Sequence, residues 1–229
     1  MSTVSAPTSA AKTGRFRLFV DFWNVQISLN ERHEKMLAKN PSLPSKFWID
    51  WKKLPRCLVE EAAKAAGFLP GQFSYEGAIV FMSYNTKKVE DKKLYKWATD
   101  WLDRQPGVQV KIFERRPKDP PKCPTCHRLV PNCPHCESTL ASTTEKGVDT
   151  AIATDMIRLA WEGAYDVAVL ASSDADLIPA VEFLDAKGTR VVQAGFPPHG
   201  RELATTCWAN FDMFACRGQY EKPAPLPPP

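Results

Sequence analysis

The sequence feature that most constrains the fold is a short apolar run at residues 166–171, DVAVLA, which a helical pattern follows directly. After Asp166, every residue of this run is apolar, so the segment offers no face suited to water. Such a segment is typical of a strand inside a parallel sheet, where helices cover both faces. The run therefore predicts an α/β protein.

Strand and helix patterns alternate along most of the chain. Strands are predicted over residues 16–21, 77–82, 108–113, 166–171 and 189–194, and helices over residues 22–39, 54–66, 89–104, 148–162 and 176–186. This alternation favours a parallel sheet with helices on both faces. We expect no internal repeat.

The composition is that of one folded domain with polar ends. The chain has 229 residues, 44% of them hydrophobic, which is enough for one substantial core. We expect the domain to span residues 15–220, with an insert at residues 114–146. Residues 1–14 are small and polar and residues 221–229 are rich in proline, so both ends are predicted to be tails.

Hydrophobicity along the chain argues against a membrane protein. No apolar run approaches the roughly twenty residues that a membrane-spanning helix requires, and the N-terminus lacks the apolar core of a secretory signal. We therefore expect a soluble cytoplasmic protein with no membrane partner.

Four aspartates lie where predicted strands end or predicted helices begin. Asp21 ends the first strand, Asp149 opens a helix, and Asp174 and Asp176 lie in the turn after residues 166–171. Ligands of parallel α/β sheets bind at the carboxyl ends of strands. Carboxylates brought together there raise one another's pKa unless a cation holds them, and Mg²⁺ or Mn²⁺ prefers such oxygens. If the first and fourth strands are neighbours, the pattern predicts a metal site.

Each aspartate also has an explanation without a metal. An aspartate near a helix N-terminus is favoured by the helix dipole and by capping, which applies to Asp174, Asp176 and Asp149. Ser172 or Ser173 is a further candidate for the cap of the helix predicted over residues 176–186. Asp155 lies six positions after Asp149 and reads most simply as an exposed helical charge.

The insert carries two C-x-x-C pairs, CPTC at residues 123–126 and CPHC at residues 133–136. In a chain without a secretory signal this spacing favours Zn²⁺ over disulfides. Because four thiolates fill a tetrahedral site, the predicted zinc is structural rather than catalytic. The simplest ligand set is Cys123, Cys126, Cys133 and Cys136, with His127 and His135 as possible substitutes.

Basic residues are concentrated in two segments, although the net charge of +4 is small. One cluster precedes Trp97 and comprises Lys87, Lys88, Lys92, Lys93 and Lys96. The other follows Phe113 and comprises Arg115, Arg116, Lys118, Lys122 and Arg128. Such clusters suit a phosphate backbone, but each is also compatible with a solvated face. The insert and the proline-rich tail are in addition possible docking points for a protein partner.

Four motifs in order resemble the NYN domain, a branch of the PIN-like metal-dependent ribonucleases. They are VDFWN at residues 20–24, KGVD at 146–149, SSDAD at 172–176 and KGTRVVQAG at 187–195. The resemblance covers residues 16–196. Ser173 and Leu177 stand where glycine and an aromatic residue are common in the family, and the cysteine-bearing insert is no part of the basic domain.

The resemblance implies a PIN-like, Rossmann-like α/β fold and an acidic pocket at the carboxyl edge of the sheet. It also implies RNA as substrate and cleavage that depends on Mg²⁺ or Mn²⁺, most simply as an endonuclease. The family pattern matches Asp21, Asn24, Asp149, Asp174 and Asp176, with Asp155 matching less strictly.

These residues suggest a mechanism of phosphodiester hydrolysis. Asp21, Asp149 and Asp174 would hold one or two cations that activate water and stabilise charge on the phosphate oxygens. Asp176 would bind the cation or orient a water. Asn24 would position a ligand or the scissile phosphate without adding charge.

Two other classes of function compete with the nuclease. One is an RNA-binding module of the same fold that lacks catalysis and grips RNA through the insert and the basic clusters. The other is a phosphatase of the haloacid dehalogenase type, whose motif needs a second aspartate two residues after the first, where this chain has Trp23. A nicotinamide dehydrogenase is disfavoured because no G-x-G-x-x-G follows the first strand.

Overall fold

A six-stranded parallel sheet forms the centre of the computed structural model, which describes residues 13–44, 46–140 and 142–222. The strands of the chain are β1 (Gly14–Asp21), β2 (Phe73–Tyr84), β3 (Val108–Glu114), β4 (Arg116–Lys118), β5 (Ser142–Thr144), β6 (Val167–Ala171), β7 (Arg190–Gly195) and β8 (Ala209–Asp212). The order across the main sheet is β3-β2-β1-β6-β7-β8, and β4 pairs with β5 as an antiparallel hairpin. The predicted parallel α/β sheet is confirmed.

Helices cover both faces of this sheet, as predicted. They are α1 (Phe22–Leu37), α2 (Leu54–Ala65), α3 (Val89–Trp97), α4 (Val148–Trp161), α5 (Ile178–Ala186) and α6 (Arg201–Thr206). Helices α1, α2 and α3 pack into one hydrophobic cluster, and α4, α5 and α6 pack into a second cluster on the opposite face. The two clusters are separated only by the sheet.

Strand β6 shows why the apolar run at residues 166–171 belongs in the centre. Its residues alternate between the two clusters, with Val167, Val169 and Ala171 in the first and Ala168 and Leu170 in the second. All five side chains are buried. In a strand covered by helices on both faces, every side chain is shielded from water. The fold therefore explains why apolar and polar residues do not alternate in this run.

The strand order reverses between β1 and β6. From β1 the chain moves outward through β2 to the edge strand β3, and from β6 it moves outward in the other direction through β7 to the edge strand β8. The first and fourth predicted strands are therefore neighbours, with Val20 opposite Ala171. A crevice opens at the carboxyl ends of the strands at such a reversal, and it is the usual ligand site of open α/β sheets.

Several element boundaries differ from the prediction. The helix predicted over residues 89–104 is α-helical only to Trp97 and continues as a π-helical turn, Ala98–Leu102. The helix predicted to begin at residue 176 is preceded by a 3₁₀ turn, Ala175–Leu177. Helix α6 and strand β8 were not predicted, because elements of six and four residues are too short to show a periodic pattern.

The insert contains an internal repeat, so the expectation of none is wrong. Residues 121–130 (PKCPTCHRLV) and 131–140 (PNCPHCESTL) are consecutive ten-residue units that place the C-x-x-C pair at the same position. The stem of the insert is the β4–β5 hairpin. The cysteines and prolines of the two units align when the sequence is compared with itself at a spacing of ten residues.

Both units fold into the same loop. In the first, the Cys123 N–H donates to the carbonyl of Arg128 at 2.8 Å, and in the second the Cys133 N–H donates to the carbonyl of Ser138 at 2.8 Å. The residue after the second cysteine of each pair has a left-handed backbone, with φ of 57° at His127 and 58° at Glu137. The repeat is therefore structural as well as sequential.

The predicted tails lie mostly outside the described residues, which begin at residue 13 and end at residue 222. Within them, β1 starts at Gly14, one residue before the expected domain boundary. The buried Tyr220 ties the end of the domain to the α1–α2 connection, because its carbonyl accepts from the Asp50 N–H at 2.8 Å. Across the described ranges, none of the helices combines the length and the apolar character needed to cross a bilayer.

Candidate functional site

Three carboxylates meet at the reversal of strand order. Ligand oxygens of Asp21, Asp149 and Asp174 all lie within 4.8 Å of one another. Asp21 is the last residue of β1, Asp149 is in the first turn of α4, and Asp174 follows β6. The structure therefore brings three of the predicted site residues together from three separate elements.

Asp21 is buried at the bottom of this group, with 5% of its surface exposed. Its Oδ1 accepts from the Asn24 N–H at 3.3 Å, which caps α1, and its Oδ2 accepts from the Ser172 hydroxyl at 3.1 Å. Both oxygens are thus oriented by the protein. The hydroxyl of Ser172 links the end of β1 to the end of β6.

The electrostatics of the group disfavour three charges. Burial raises the pKa of Asp21 to about 6, and the nearby charges of Glu145 and Asp149 add to this rise against the two hydrogen bonds. Burial also raises the pKa of Asp149, with the charges of Asp174, Glu145 and Asp176 as further causes. The carboxylates are therefore held together at an electrostatic cost that a cation would remove.

This donor set fits a divalent cation such as Mg²⁺ or Mn²⁺. Carboxylate oxygens are the ligands that hard cations prefer, and the three side chains belong to elements fixed by the core. Asp149 and Asp174 are partly exposed, so the group is open to solvent on one side. The residues that would hold the ion are Asp21, Asp149 and Asp174.

The turn after β6 is organised by Ser172 and Asp174. The Ser172 hydroxyl accepts from the Asp174 N–H at 3.1 Å, and Asp174 Oδ1 accepts from the Asp176 N–H at 2.9 Å. Asp174 thus caps the 3₁₀ turn and also belongs to the carboxylate group, so capping and site membership are combined in one residue. The expectation that Ser172 or Ser173 caps the last predicted helix is wrong, because the residue before α5 is Leu177 and the cap of the preceding 3₁₀ turn is Asp174.

Asp176 lies beside the group rather than in it. Its side chain is exposed, and it is absent from the set of mutually close ligand atoms. Its charge nevertheless contributes to the raised pKa of Asp149, so it lies near that carboxylate. This position suits the orientation of water or substrate better than direct binding of a shared ion.

Asn24 braces the site from α1. Its backbone N–H binds Asp21, and its side-chain oxygen accepts from the Ser173 N–H at 2.9 Å. The amide oxygen is therefore engaged by the turn after β6. Asn24 fixes the spacing between the ends of β1 and β6.

The loop after β7 supports the same turn. Gln193 is buried and its Nε2 donates to the carbonyl of Ser172 at 3.0 Å. Gly200 has φ of +70°, and a Cβ at this position would lie 2.7 Å from the Cβ of Ser173. Only glycine fits a left-handed position packed this closely against another backbone.

Asp155 does not belong to the carboxylate group. It is buried rather than exposed, and its Oδ2 lies 2.6 Å from Lys111 Nζ of β3. Its Oδ1 lies 3.5 Å from Arg158 of the same helix. The residue therefore joins α4 to the edge strand β3, and the reading as an exposed charge is wrong.

Sequence reasoning missed a second set of polar residues at the base of the insert. Glu145 Oε2 lies 3.5 Å from the Arg115 guanidinium and also accepts from the Ser83 hydroxyl. The Arg115 guanidinium lies 5.2 Å from the centre of the Trp23 ring, and its Nε donates to Ser83 Oγ at 2.9 Å. The position of Glu145 just before the KGVD motif was the only sequence signal for it.

The insert cysteines are arranged as two separate pairs. Hydrogen bonds from the backbone N–H groups of Cys126 and Thr125 lower the pKa of Cys123. Hydrogen bonds from the side chain and then the backbone of Ser138 lower the pKa of Cys136. In the described part of the chain, the aspartate trio is the one group of three or more possible ligands within 4.8 Å, so the four sulfurs are not gathered at a point. The zinc site remains a prediction.

The other three cysteines belong to the core of the domain. Cys57 and Cys207 are buried and Cys216 is partly buried, and all three are free. None of them lies in the insert or among the carboxylates.

Comparison with known proteins gives one family and one fold relative. A model of the NYN domain family matches residues 15–209. A crystal structure of a protein of unknown function from Vibrio parahaemolyticus has a TM-score of 0.52 and 13% sequence identity, covering 94% of this chain and 100% of that one. At this identity the likeness concerns the fold alone. No curated protein sequence matches the chain at a significant level.

Proposed function

The chain belongs to the NYN domain family, and on that premise we propose that it is a ribonuclease that depends on a divalent metal ion and hydrolyses RNA phosphodiester bonds. The observation that carries the proposal is the convergence of Asp21, Asp149 and Asp174 within 4.8 Å at the carboxyl edge of the sheet. Three carboxylates from three elements, one of them buried, form a costly arrangement that serves a cation and serves neither packing nor capping alone.

Each residue has a distinct part in this proposal. Asp21, Asp149 and Asp174 hold the ion, Mg²⁺ or Mn²⁺, and Asp176 orients water or the phosphate at the open side of the group. Asn24 and Ser172 keep the two strand ends at a fixed spacing through their bonds to Ser173, Asp174 and Asp21. When bound, such an ion supplies an activated water and stabilises the charge that develops on the phosphate oxygens.

The proton balance of Asp21 follows from its burial. With a pKa of about 6, part of the Asp21 population carries a proton near neutral pH when no cation is present. Binding of a cation favours the charged carboxylate, so the proton leaves to solvent as the ion enters. Cation affinity is therefore expected to weaken below about pH 6, because the proton and the cation compete for this side chain.

We further propose that the insert holds one structural zinc ion through Cys123, Cys126, Cys133 and Cys136. The support is the tandem repeat of the cysteine-bearing loop and the lowered pKa of Cys123 and Cys136, which favours the thiolate that zinc binds. A zinc ion would join two loops that have little core of their own.

The experiment that tests the nuclease is cleavage of a 5′-labelled single-stranded RNA and of a structured RNA in EDTA, Mg²⁺ and Mn²⁺. The proposal predicts cleavage with either metal and none in EDTA. Internal cuts at early times would establish an endonuclease, whereas release of single terminal nucleotides would establish an exonuclease. Saturable RNA binding without turnover in any metal would instead assign the non-catalytic RNA-binding module.

A further inference from the structure

One face of α3 carries a line of lysines with a tyrosine among them. Residues spaced three and four apart share a face of an α-helix, so Lys88 at the helix cap, Lys92, Tyr95 and Lys96 point to the same side. We name these four residues the α3 stripe. The opposite side of the helix contributes Leu94 and Trp97 to the hydrophobic core, so the stripe faces away from the protein.

Tyr95 presents an aromatic surface within the stripe. Its side chain is 41% exposed, and its ring lies 4.7 Å from the ring of Tyr84 at an angle of 37°. Contact with Tyr84 on one side holds the Tyr95 ring in place, while solvent reaches the other. A fixed and exposed aromatic ring is a ready surface for stacking.

The lysines of the stripe have their charges available. Among the residues that the structure describes, Lys88, Lys92 and Lys96 are exposed and take part in no ion pair. Asp91, the acidic residue next to Lys92 in the sequence, accepts a hydrogen bond from the backbone N–H of Asn85 at 2.7 Å. Although the exposed Glu90 lies in the first turn of the same helix, the three lysines of the stripe thus form a line of positive charge without an ion pair among the described residues.

Tyr84, which contacts the stripe through Tyr95, ends the strand beside Asp21. Asp21 pairs with Phe81 of β2, and Tyr84 ends the same strand three residues further on. With strand spacings of about 3.3 Å per residue and about 4.8 Å between strands, the backbones of Asp21 and Tyr84 are about 11 Å apart. Arg115 links the two regions, since its backbone N–H donates to the Tyr84 carbonyl at 2.8 Å and its guanidinium lies 5.2 Å from the centre of the Trp23 ring.

We propose that the α3 stripe binds the single-stranded part of the RNA substrate next to the cleavage site, with one unpaired base on Tyr95 and the adjoining phosphates on Lys92 and Lys96. This inference rests on the proposed function and names its substrate class. Aromatic stacking needs a base whose flat face is open, which single strands offer and duplexes do not. Lysines beside the ring suit the backbone phosphates of the same strand.

The test measures binding by fluorescence anisotropy with labelled single-stranded RNA and the matching duplex, in the Asp174→Asn background so that no RNA is cut. Tyr95→Ala is expected to weaken single-strand binding about tenfold, with Tyr95→Phe binding like the parent and duplex binding unchanged. Lys92→Gln with Lys96→Gln is expected to lower the slope of log affinity against log salt by about 1.4, since each lysine contributes about 0.7 on single strands.

Matched controls come from other exposed surfaces. Trp161 is 81% exposed at the far end of α4, and Lys35 and Lys39 are exposed at the far end of α1. Trp161→Ala and the pair Lys35→Gln with Lys39→Gln are expected to leave single-strand affinity and the salt slope unchanged.

Equal losses in the stripe variants and their controls, or preference for duplex over single strands in the parent, would overturn the inference. The readout does not depend on catalysis. Absence of cleavage by the wild-type protein with intact stripe-dependent binding would reject the proposed nuclease and retain the stripe. If the stripe variants cleave single-stranded RNA as fast as the wild-type protein, the proposed nuclease is retained and the stripe is rejected.

Discussion

Asp21 combines burial with a charge that burial opposes. It is buried because it ends the central strand β1, and each of its two oxygens accepts one hydrogen bond. Its raised pKa reports that the folded protein binds the proton more tightly than the unfolded chain does. The stability linked to this group is therefore complete below the ordinary pKa of 3.8 and is lost as pH rises through about 6.

Replacing Asp21 by Asn is expected to stabilise the metal-free protein at pH 8, since it removes a buried charge. The amide oxygen can still accept from the Asn24 N–H, and the amide nitrogen can donate to the Ser172 hydroxyl with the direction of that bond reversed. The rise from 3.8 to about 6 sets an upper limit of about 3 kcal/mol on the gain. Urea unfolding in EDTA at pH 8 and pH 4 measures it. The gain should be present at pH 8 and largely absent at pH 4, and equal values for both proteins at pH 8 would show that Asp21 carries no such penalty.

The sequence was sufficient to identify the aspartates because each lies at a strand end or helix start that local patterns reveal. It was not sufficient for Ser172, Gln193 or Glu145, whose partners lie on other strands. Asp155 was misread for the same reason, since the sequence of α4 does not reveal that Lys111 of β3 covers it. Partnerships across the sheet depend on strand order, which no local pattern encodes.

Among the elements, the loop between β7 and α6 bears most directly on the site. Gly200 packs its backbone against Ser173, the residue that Asn24 also binds. Helix α6 and strand β8 escaped prediction because they are short and gain their stability from contacts with the rest of the sheet. The five longer helices and the five longer strands of the main sheet, by contrast, carry apolar patterns of their own.

Gly200→Ala should destabilise the protein and disturb the turn that carries Asp174. Gly163 provides a matched control, because it has φ of +66° with no atom within 4 Å of an added Cβ. Gly163→Ala is expected to cost about 1 kcal/mol from backbone strain alone. Gly200→Ala should cost roughly 3 kcal/mol and reduce RNA cleavage, because the clash with Ser173 adds to the strain. Equal unfolding free energies for the two variants would contradict this reading.

The insert is a separate element in its sequence, and the proposed zinc ion would give it a folding requirement of its own. The purified protein is expected to contain about one zinc ion per chain, and Cys126→Ser or Cys136→Ser should lower this content. Cys207→Ser, outside the insert, should not. Elemental analysis measures the zinc, and limited proteolysis should show cuts within residues 119–140 after chelation while the remaining domain stays intact. A metal content independent of Cys126 and Cys136 would refute the site.

At the scale of the whole molecule, the order of the strands places the site. The chain builds β1, β2 and β3 toward one edge and then crosses through α4 to build β6, β7 and β8 toward the other. This path sets Asp21 and Asp174 on adjacent strands and delivers Asp149 at the start of the crossing helix. The α/β class was predictable from alternation, whereas this order rested on the assumption that the first and fourth strands are neighbours.

In the proposed function, the same architecture separates the catalytic carboxylates from the residues that bind RNA. The carboxylates lie at the β1–β6 boundary, while Arg115, Tyr84 and the α3 stripe extend from it toward the edge strand β3. Negative charge for a cation and positive charge for a phosphate backbone are thus adjacent but distinct. This arrangement suits a substrate that is polyanionic and long enough to contact both regions.

The most direct test of the account compares single-turnover RNA cleavage by the wild-type protein, Asp174→Asn and Asp185→Asn in Mn²⁺ and in EDTA. Asp185 is a matched control in α5, paired at the surface with Arg190. The account predicts metal-dependent cleavage that falls by about a hundredfold or more in Asp174→Asn and is unchanged in Asp185→Asn. Cleavage in EDTA at the full rate, or equal rates for Asp174→Asn and the wild type, would contradict a catalytic metal held by these carboxylates.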